Sequence, residues 1–179
     1  MGPRLGVGPL PFFAKGASAM TTAIERIESF YAGEHVSQWR TVEQADIQQF
    51  ADATGDHNWI HVDPERARRE SPFGGPIAHG LWTLSLLPYF LESSFGLRPP
   101  GIQMGVNYGF DRVRLMSPVP VGSRIRNRCE LLGVEPKGGD RYLVKTRNTI
   151  ELEGSEKPAM VADWLFMLFV SDAPPTGGG

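Results

Sequence analysis

A chain of 179 residues, 41% hydrophobic and 21% charged, has room for one ordinary core and is too balanced for disorder along most of its length. A formal net charge of -2 gives no global attraction to nucleic acid or to an anionic membrane, so neither is expected as a partner. The lone Cys129 with four histidines excludes an internal disulfide and a Cys/His zinc framework; no apolar run is long enough to span a bilayer, and a reducing cytoplasm is the expected setting.

The chain opens on "MGPRLGVGPLPFFAKGASA", which loosely resembles a secretory signal. Pro3, Pro9, Pro11 and the early glycines interrupt its apolar patch, so residues 1–22 are expected to be a disordered or non-native leader, with Met20 as an alternative start. Residues 23–172 form the expected domain, and 173–179, ending "APPTGGG", a flexible tail. Val36 to Arg40 reads as a strand. Thr41-Val42-Glu43-Gln44 has the pattern of a capping box, and Ile47, Phe50, Ala51 and Thr54 follow at helical spacing until Gly55, which predicts a helix over 42–54. Asp63-Pro64 predicts a second helix, capped by the Asp and started by the Pro, ending near Ser71-Pro72.

"GLWTLSLLPYFLESSFG" is apolar nearly all round, as in a helix buried on every side, and Pro88 should kink or divide it. Downstream, strands are expected near 102–115, 123–135, 141–153 and 159–171, separated by "SPVPVG", "EPKGGD" and "EGSEKP". In the third, Tyr142, Val144, Ile150 and Leu152 alternate with Lys145, Arg147 and Glu151, one face buried and one wet. The fourth, "MVADWLFMLFV", is apolar on both faces, which suggests cover from the buried helix and from another subunit. The helix-rich first half and strand-rich second half make an α+β domain, a curved antiparallel sheet folded round one central hydrophobic helix: the hot-dog arrangement.

Chemistry concentrates in "ATGDHNWIHVDP" and "FGGPIAHG". Asp56 and His61, five apart across a turn introduced by Gly55, can hold one water between an acceptor and a group that exchanges protons near neutral pH. Taken singly, each also has an ordinary reading, as an Asx turn and as a packed histidine. A metal reading joins His57 and His61 with Asp56, Asp63 or His79. Their four-residue spacing loses force between a helix stop and a helix start, and no Glu follows His57 as a zinc hydrolase of the His-Glu-x-x-His type requires. His79-Gly80 opens the buried helix, where unpartnered backbone N–H groups can stabilise a developing oxyanion. A simple helix-entry glycine is the equally open alternative.

"TGDHNWIH" followed by "FGGPIAHGLWTLSLL", with "NYGFDRVRLMSPVPVGSRIR" after it, resembles the hydratase motif of the MaoC-like family, which contains the (R)-specific enoyl-CoA hydratases. The Trp and Ile before His61 bring it closest to the NodN-like branch. The resemblance spans roughly residues 35–170. It implies a catalytic dyad of Asp56 and His61, an oxyanion-binding backbone N–H at Gly80, and substrate contacts at Asn58, His79 and Trp82. It also implies reversible syn addition of water to a trans-2-enoyl-CoA, giving an (R)-3-hydroxyacyl-CoA, with no metal or redox cofactor. Acyl-CoA, an acyl carrier protein in its place, and a second copy of the chain as a homodimer are the partners it implies. Trp59 departs from the commoner motif, which has proline there, and leaves the shape of the acyl pocket open. Trp82, Leu86 and Phe90 are candidates to line that pocket. The same fold also serves acyl-CoA thioesterases and domains that bind acyl-CoA or acyl carrier protein without turnover.

Overall fold

A computed structural model describes residues 22–95 and 101–170. The expected leader, apart from Thr22, and the expected tail lie outside the described residues. In chain order the elements are α1 (Ala23–Phe30), β1 (Glu34–Val36), β2 (Arg40–Thr41), α2 (Gln44–Thr54), α3 (Trp59–Val62), α4 (Pro64–Glu70), α5 (Gly80–Ser85), α6 (Leu87–Phe95), β3 (Ile102–Leu115), β4 (Arg124–Pro136), β5 (Arg141–Leu152) and β6 (Met160–Val170). The strands form one antiparallel sheet in the order β1-β4-β5-β6-β3, with β2 also paired to β4.

The four long strands fall where alternation and turn residues place them. On the inner face of the sheet Ile125, Asn127 and Cys129 of β4 lie beside Leu152, Ile150 and Asn148 of β5, and Ile150, Asn148 and Thr146 lie beside Met160, Ala162 and Trp164 of β6. That face is not uniformly apolar. Asn127, Asn148 and Thr146 are fully buried and bond to one another, Asn127 Nδ2 donating to Asn148 Oδ1 at 2.8 Å and Asn148 Nδ2 to Thr146 Oγ1 at 2.9 Å. Such a network offsets the desolvation that unpaired buried amides would suffer. Cys129 lies among them, and burial pushes its thiol up to about 12, which keeps it protonated and unreactive. On the outer face the run of arginines is spent on carboxylates: Arg124 on Glu153, Arg126 and Arg128 on Glu151, and Arg147 in a two-pronged grip on Asp163.

Several local expectations change. The strand expected over Val36–Arg40 is two short pieces, β1 and β2. The helix expected from 42 starts two residues later: Val42 N donates to Ser123 O and Val42 O accepts from Gly122 N, so residue 42 is held against the turn that leads into β4 and α2 starts at Gln44 without a side-chain cap. A helix not expected, α1, carries the true capping box. Thr22 accepts from Glu25 N at 3.2 Å and Glu25 accepts from Thr22 N at 2.7 Å, which seats Ala23 and Ile27 in the core.

The central apolar helix is two helices. The chain breaks at Leu86, and Pro88 becomes the second residue of α6, where its missing N–H costs nothing. Trp82, Thr83, Leu87 and Phe90 face inward, but Leu81 is 66% exposed and Tyr89 45%. Cover on every side, expected from composition, is therefore not what this chain provides, because its sheet lies on one side of the helix pair. No described helix is long and apolar enough to cross a membrane.

Candidate active site

Gly55 ends α2 in the left-handed region (φ 80°), a conformation that a β-carbon would resist. The turn after it is built from side chains. Asp56 Oδ1 accepts from Asn58 N at 3.3 Å, and Asn58, the N-cap of α3, accepts from Ile60 N at 3.3 Å. His61 is thereby carried on a single short turn of helix that Asp63 closes, and Asp63 in turn caps α4 through Arg66 N. Gln44 Nε2, reaching across from α2, donates to His61 O at 2.8 Å.

The His61 ring is buried and fixed. Its Nδ1–H donates to Ile77 O at 2.7 Å. That carbonyl is itself immobile: Ile77 N donates to Ile60 O, Ala78 N to Val119 O and Val121 N to Pro76 O, a short bridge between 76–78 and 119–121. A carbonyl can only accept, so the proton sits on Nδ1 and a neutral His61 presents a bare Nε2. Burial holds its pKa below the ordinary 6.5, with the nearby His79 adding to the depression and the Ile77 bond and Asp56 opposing it.

His79 is 3% exposed, and its ring lies 3.9 Å from the His61 ring at an interplanar angle of 31°. Its Nε2–H donates to the backbone carbonyl of Asp56 at 2.9 Å, with Asp56 Oδ2 at 4.0 Å. The Asp56 side chain is 56% exposed. One polar atom from each of Asp56, His61 and His79 lies within 4.8 Å of the others, close enough for the three to share one small ligand, a water or a metal ion. His57, the other half of the metal reading, turns away and bonds Asp52 Oδ1 at 3.0 Å on the surface.

A cleft of about 310 Å³ opens beside His61, walled by Phe73, Ile77, Gly80, Thr83, Leu115 and the turn through Val119. Gly80 is the first residue of α5, so its N–H has no carbonyl within the helix to bond. A β-carbon there would stand 2.3 Å from Leu115 Cδ1. A larger cavity of about 780 Å³ lies between α1, α6 and the strand ends, lined by Pro88, Leu91, Phe95, Ile102, Trp164 and Phe166 among others.

The structure brings Asp56, His61 and His79 together, and of the predicted site residues His61 and Gly80 line the cleft. It does not bring Trp82 there: that ring is 5% exposed within the core cluster and lines neither cavity. Phe90 is likewise core, and its near neighbours on α6, Pro88 and Leu91, line the larger cavity. Asn58 serves as a helix cap. Thr83 and the wall from Leu115 to Val119 were not anticipated. "SPVPVG" carries the turn signal, but nothing in it shows that its carbonyls meet residues 76–78.

The family profile described as "MaoC like domain" matches residues 30–153. The 3-hydroxyacyl-thioester dehydratase Z of Mycobacterium tuberculosis is 49% identical over 134 residues, 74% of this chain and 87% of that protein. Nodulation protein N of Rhizobium leguminosarum is 48% identical over 135 residues, 74% of this chain and 81% of that protein. Among solved structures, the MaoC-like dehydratase of Rhodospirillum rubrum superposes with a TM-score of 0.64 at 23% identity, covering 79% of this chain and 93% of the other. The (R)-hydratase of A. caviae does so at 0.59 and 21%, covering 75% and 92%. Both share the hot-dog fold with this chain.

Proposed function

This chain belongs to the MaoC-like dehydratase family, and from that premise we propose that it adds water to trans-2-enoyl thioesters to give (R)-3-hydroxyacyl thioesters, and catalyses the reverse. Family membership makes it a hydratase/dehydratase of acyl thioesters. The stereochemical course and the residues that carry it are our reading. The observation that supports it most is the fixed tautomer of His61, which leaves a neutral Nε2 beside an open cleft with a carboxylate close by.

In this reading Asp56 accepts one hydrogen of a water and His61 Nε2 accepts the other. As the water oxygen bonds C3 of the enoyl thioester, its proton passes to Nε2, and the imidazolium returns it to C2 from the same face, so one molecule of water is added syn. Charge that accumulates on the thioester oxygen is met by Gly80 N–H at the start of α5. Holding water, ring and amide in one geometry supplies the remainder of the effect. The larger cavity, within the size range of small-molecule sites, receives the acyl tail between α6 and the sheet.

A homodimer fits the same reading. Among the described residues β3 is an edge strand of the sheet, fourteen residues long, and Met104, Val106, Tyr108 and Phe110 on it are between 42% and 66% exposed. Long apolar edges of this kind are normally covered, and a second copy paired along β3 would cover it.

The test is hydration of crotonyl-CoA, followed as loss of enoyl absorbance, with the product offered to an (R)-specific 3-hydroxyacyl-CoA dehydrogenase. The expected result is turnover with an (R) product and no release of free thiol. Thiol release would make the protein a thioesterase, and saturable binding without hydration of CoA or acyl-carrier-protein substrates would make it a binding domain.

A further inference from the structure

We infer that His79 is a positioning residue, locking the Asp56 turn and the His61 ring into one register; this rests on the dyad reading above. Position 79 is the N-cap of α5, where a side chain ordinarily folds back onto the amides of its own helix. His79 makes no such bond. Its ring instead reaches back twenty-three residues to donate to Asp56 O at 2.9 Å, with its face on His61 and Phe50 packed 5.1 Å away.

The two residues it joins are held very differently. His61 is anchored from inside by Ile77 O and through its own carbonyl by Gln44. Asp56 sits on an exposed turn, its carboxylate held by the Asn58 amide at 3.3 Å, a bond that moves with the turn. Exposed turns with few buried contacts open readily. The His79 bond is what ties this one to the interior, and it acts on the backbone of Asp56, leaving the carboxylate free for water.

His79 is not placed to touch substrate. It is 97% buried, by its 3% exposure, and is absent from the wall of the cleft beside His61. Its contribution is therefore transmitted through its two neighbours. A dyad misplaced by about 1 Å loses on the order of 100-fold in rate, and that displacement falls on turnover more than on substrate capture.

The experiment compares His79→Phe, which keeps a ring against His61 but has no N–H for Asp56 O, with His79→Gln, whose side-chain amide can restore that donor. In His79→Phe, kcat for crotonyl-CoA should fall about 10- to 100-fold with KM within about 3-fold, and His79→Gln should recover most of the loss. Amide hydrogen exchange of residues 55–58 should accelerate in His79→Phe and return toward wild type in His79→Gln, with exchange in the β-sheet unchanged in both. Wild-type turnover in His79→Phe, a loss confined to KM, or equal impairment and equal exchange in both variants would overturn the proposal. Exchange reads the tie without turnover: if the wild-type protein hydrates nothing, the dyad reading fails, and slow exchange at 55–58 that depends on His79 still separates a tie from its absence. Should His79→Phe not fold, a His79→Gln protein exchanging at 55–58 like wild type supports the tie, and one exchanging as fast as an unfastened loop rejects it.

Discussion

His61 and Ile77 are joined by a hydrogen bond of 2.7 Å from a ring nitrogen to a carbonyl oxygen that can only accept. That one bond decides which nitrogen of the histidine is bare, and the bare one is the atom a water would meet. The chemistry proposed for the cleft follows from it, so the first consequence concerns His61 and its partner.

Replacing His61 by Gln or Asp56 by Asn removes a proton acceptor and leaves a side chain of similar size. Hydration of crotonyl-CoA should drop about 100-fold or more in either, the scale of a lost acid–base group. Circular dichroism and thermal midpoint should stay close to wild type for Asp56→Asn, whose side chain is exposed. The Gln variant loses the bond to Ile77 O inside the protein, so a modest fall in midpoint is expected there.

The pH dependence has a definite sign. His61 must be neutral to accept a proton, and burial holds its pKa below 6.5, so kcat/KM should persist below pH 6.5 and fall only as the pH drops through the depressed native value. Stability follows the same ionisation. Between the native value and 6.5 the unfolded chain binds a proton on this histidine that the native one does not, so this residue's contribution is complete above 6.5 and is lost as the pH falls through that window. Urea midpoints measured from pH 7.5 downward should decline in the wild type and decline less in His61→Gln.

Much of the architecture was legible because it rests on local rules. Gly55 as a helix stop, Asp63-Pro64 as a helix start and the four long strands each follow from one residue's geometry or from period-two alternation. What sequence left hidden depends on partners far along the chain. Thr41-Val42-Glu43-Gln44 looks like a cap, but Val42 is bonded instead to residues 122 and 123 in the turn before β4. Trp82 looks like a pocket wall, yet it points into the core, because only the break at Leu86 sets which sides of α5 and α6 face the sheet. Asp56 and His61 were readable as a pair from their motif. His79 was readable as a helix-entry residue, but its bond to Asp56 O was not, since that bond spans twenty-three residues.

Gly80 is tightly neighboured rather than conformationally demanding, so an alanine there tests space. Its β-carbon would stand 2.3 Å from Leu115 Cδ1, and Leu115, 54% exposed, must swing aside. Overpacking of this kind costs about 1–3 kcal/mol, and an exposed neighbour puts the expectation near the lower end. Urea denaturation of Gly80→Ala should show that loss, and Leu115→Ala in the same chain should remove most of it.

Along the β3 edge, a lysine in place of Tyr108 together with one in place of Met104 puts charge where a second copy would pair. Sedimentation should show the wild type as a dimer and the double variant as a monomer, or as a dimer with at least about a 10-fold weaker dissociation constant, equivalent to 1.4 kcal/mol. A wild type that sediments as a monomer at all concentrations would leave β3 without the partner proposed for it.

Leu91 offers a test of where the acyl tail lies. It is half-buried on α6 and lines the cavity of about 780 Å³, on the opposite side of the Leu86 break from the cleft beside His61. A tryptophan there would occupy space that only a long tail needs, while a four-carbon substrate reaches no farther than the dyad. Steric discrimination by one or two methylenes in an apolar pocket is worth about 10- to 200-fold, so kcat/KM for trans-2-decenoyl-CoA should fall by at least about 10-fold in Leu91→Trp while crotonyl-CoA changes by less than about 2-fold. An equal loss for both chain lengths would point to a disturbed helix pair, and no loss for either would place the tail elsewhere. The comparison therefore separates a cavity that holds substrate from one that merely follows from the packing of α1, α6 and the strand ends.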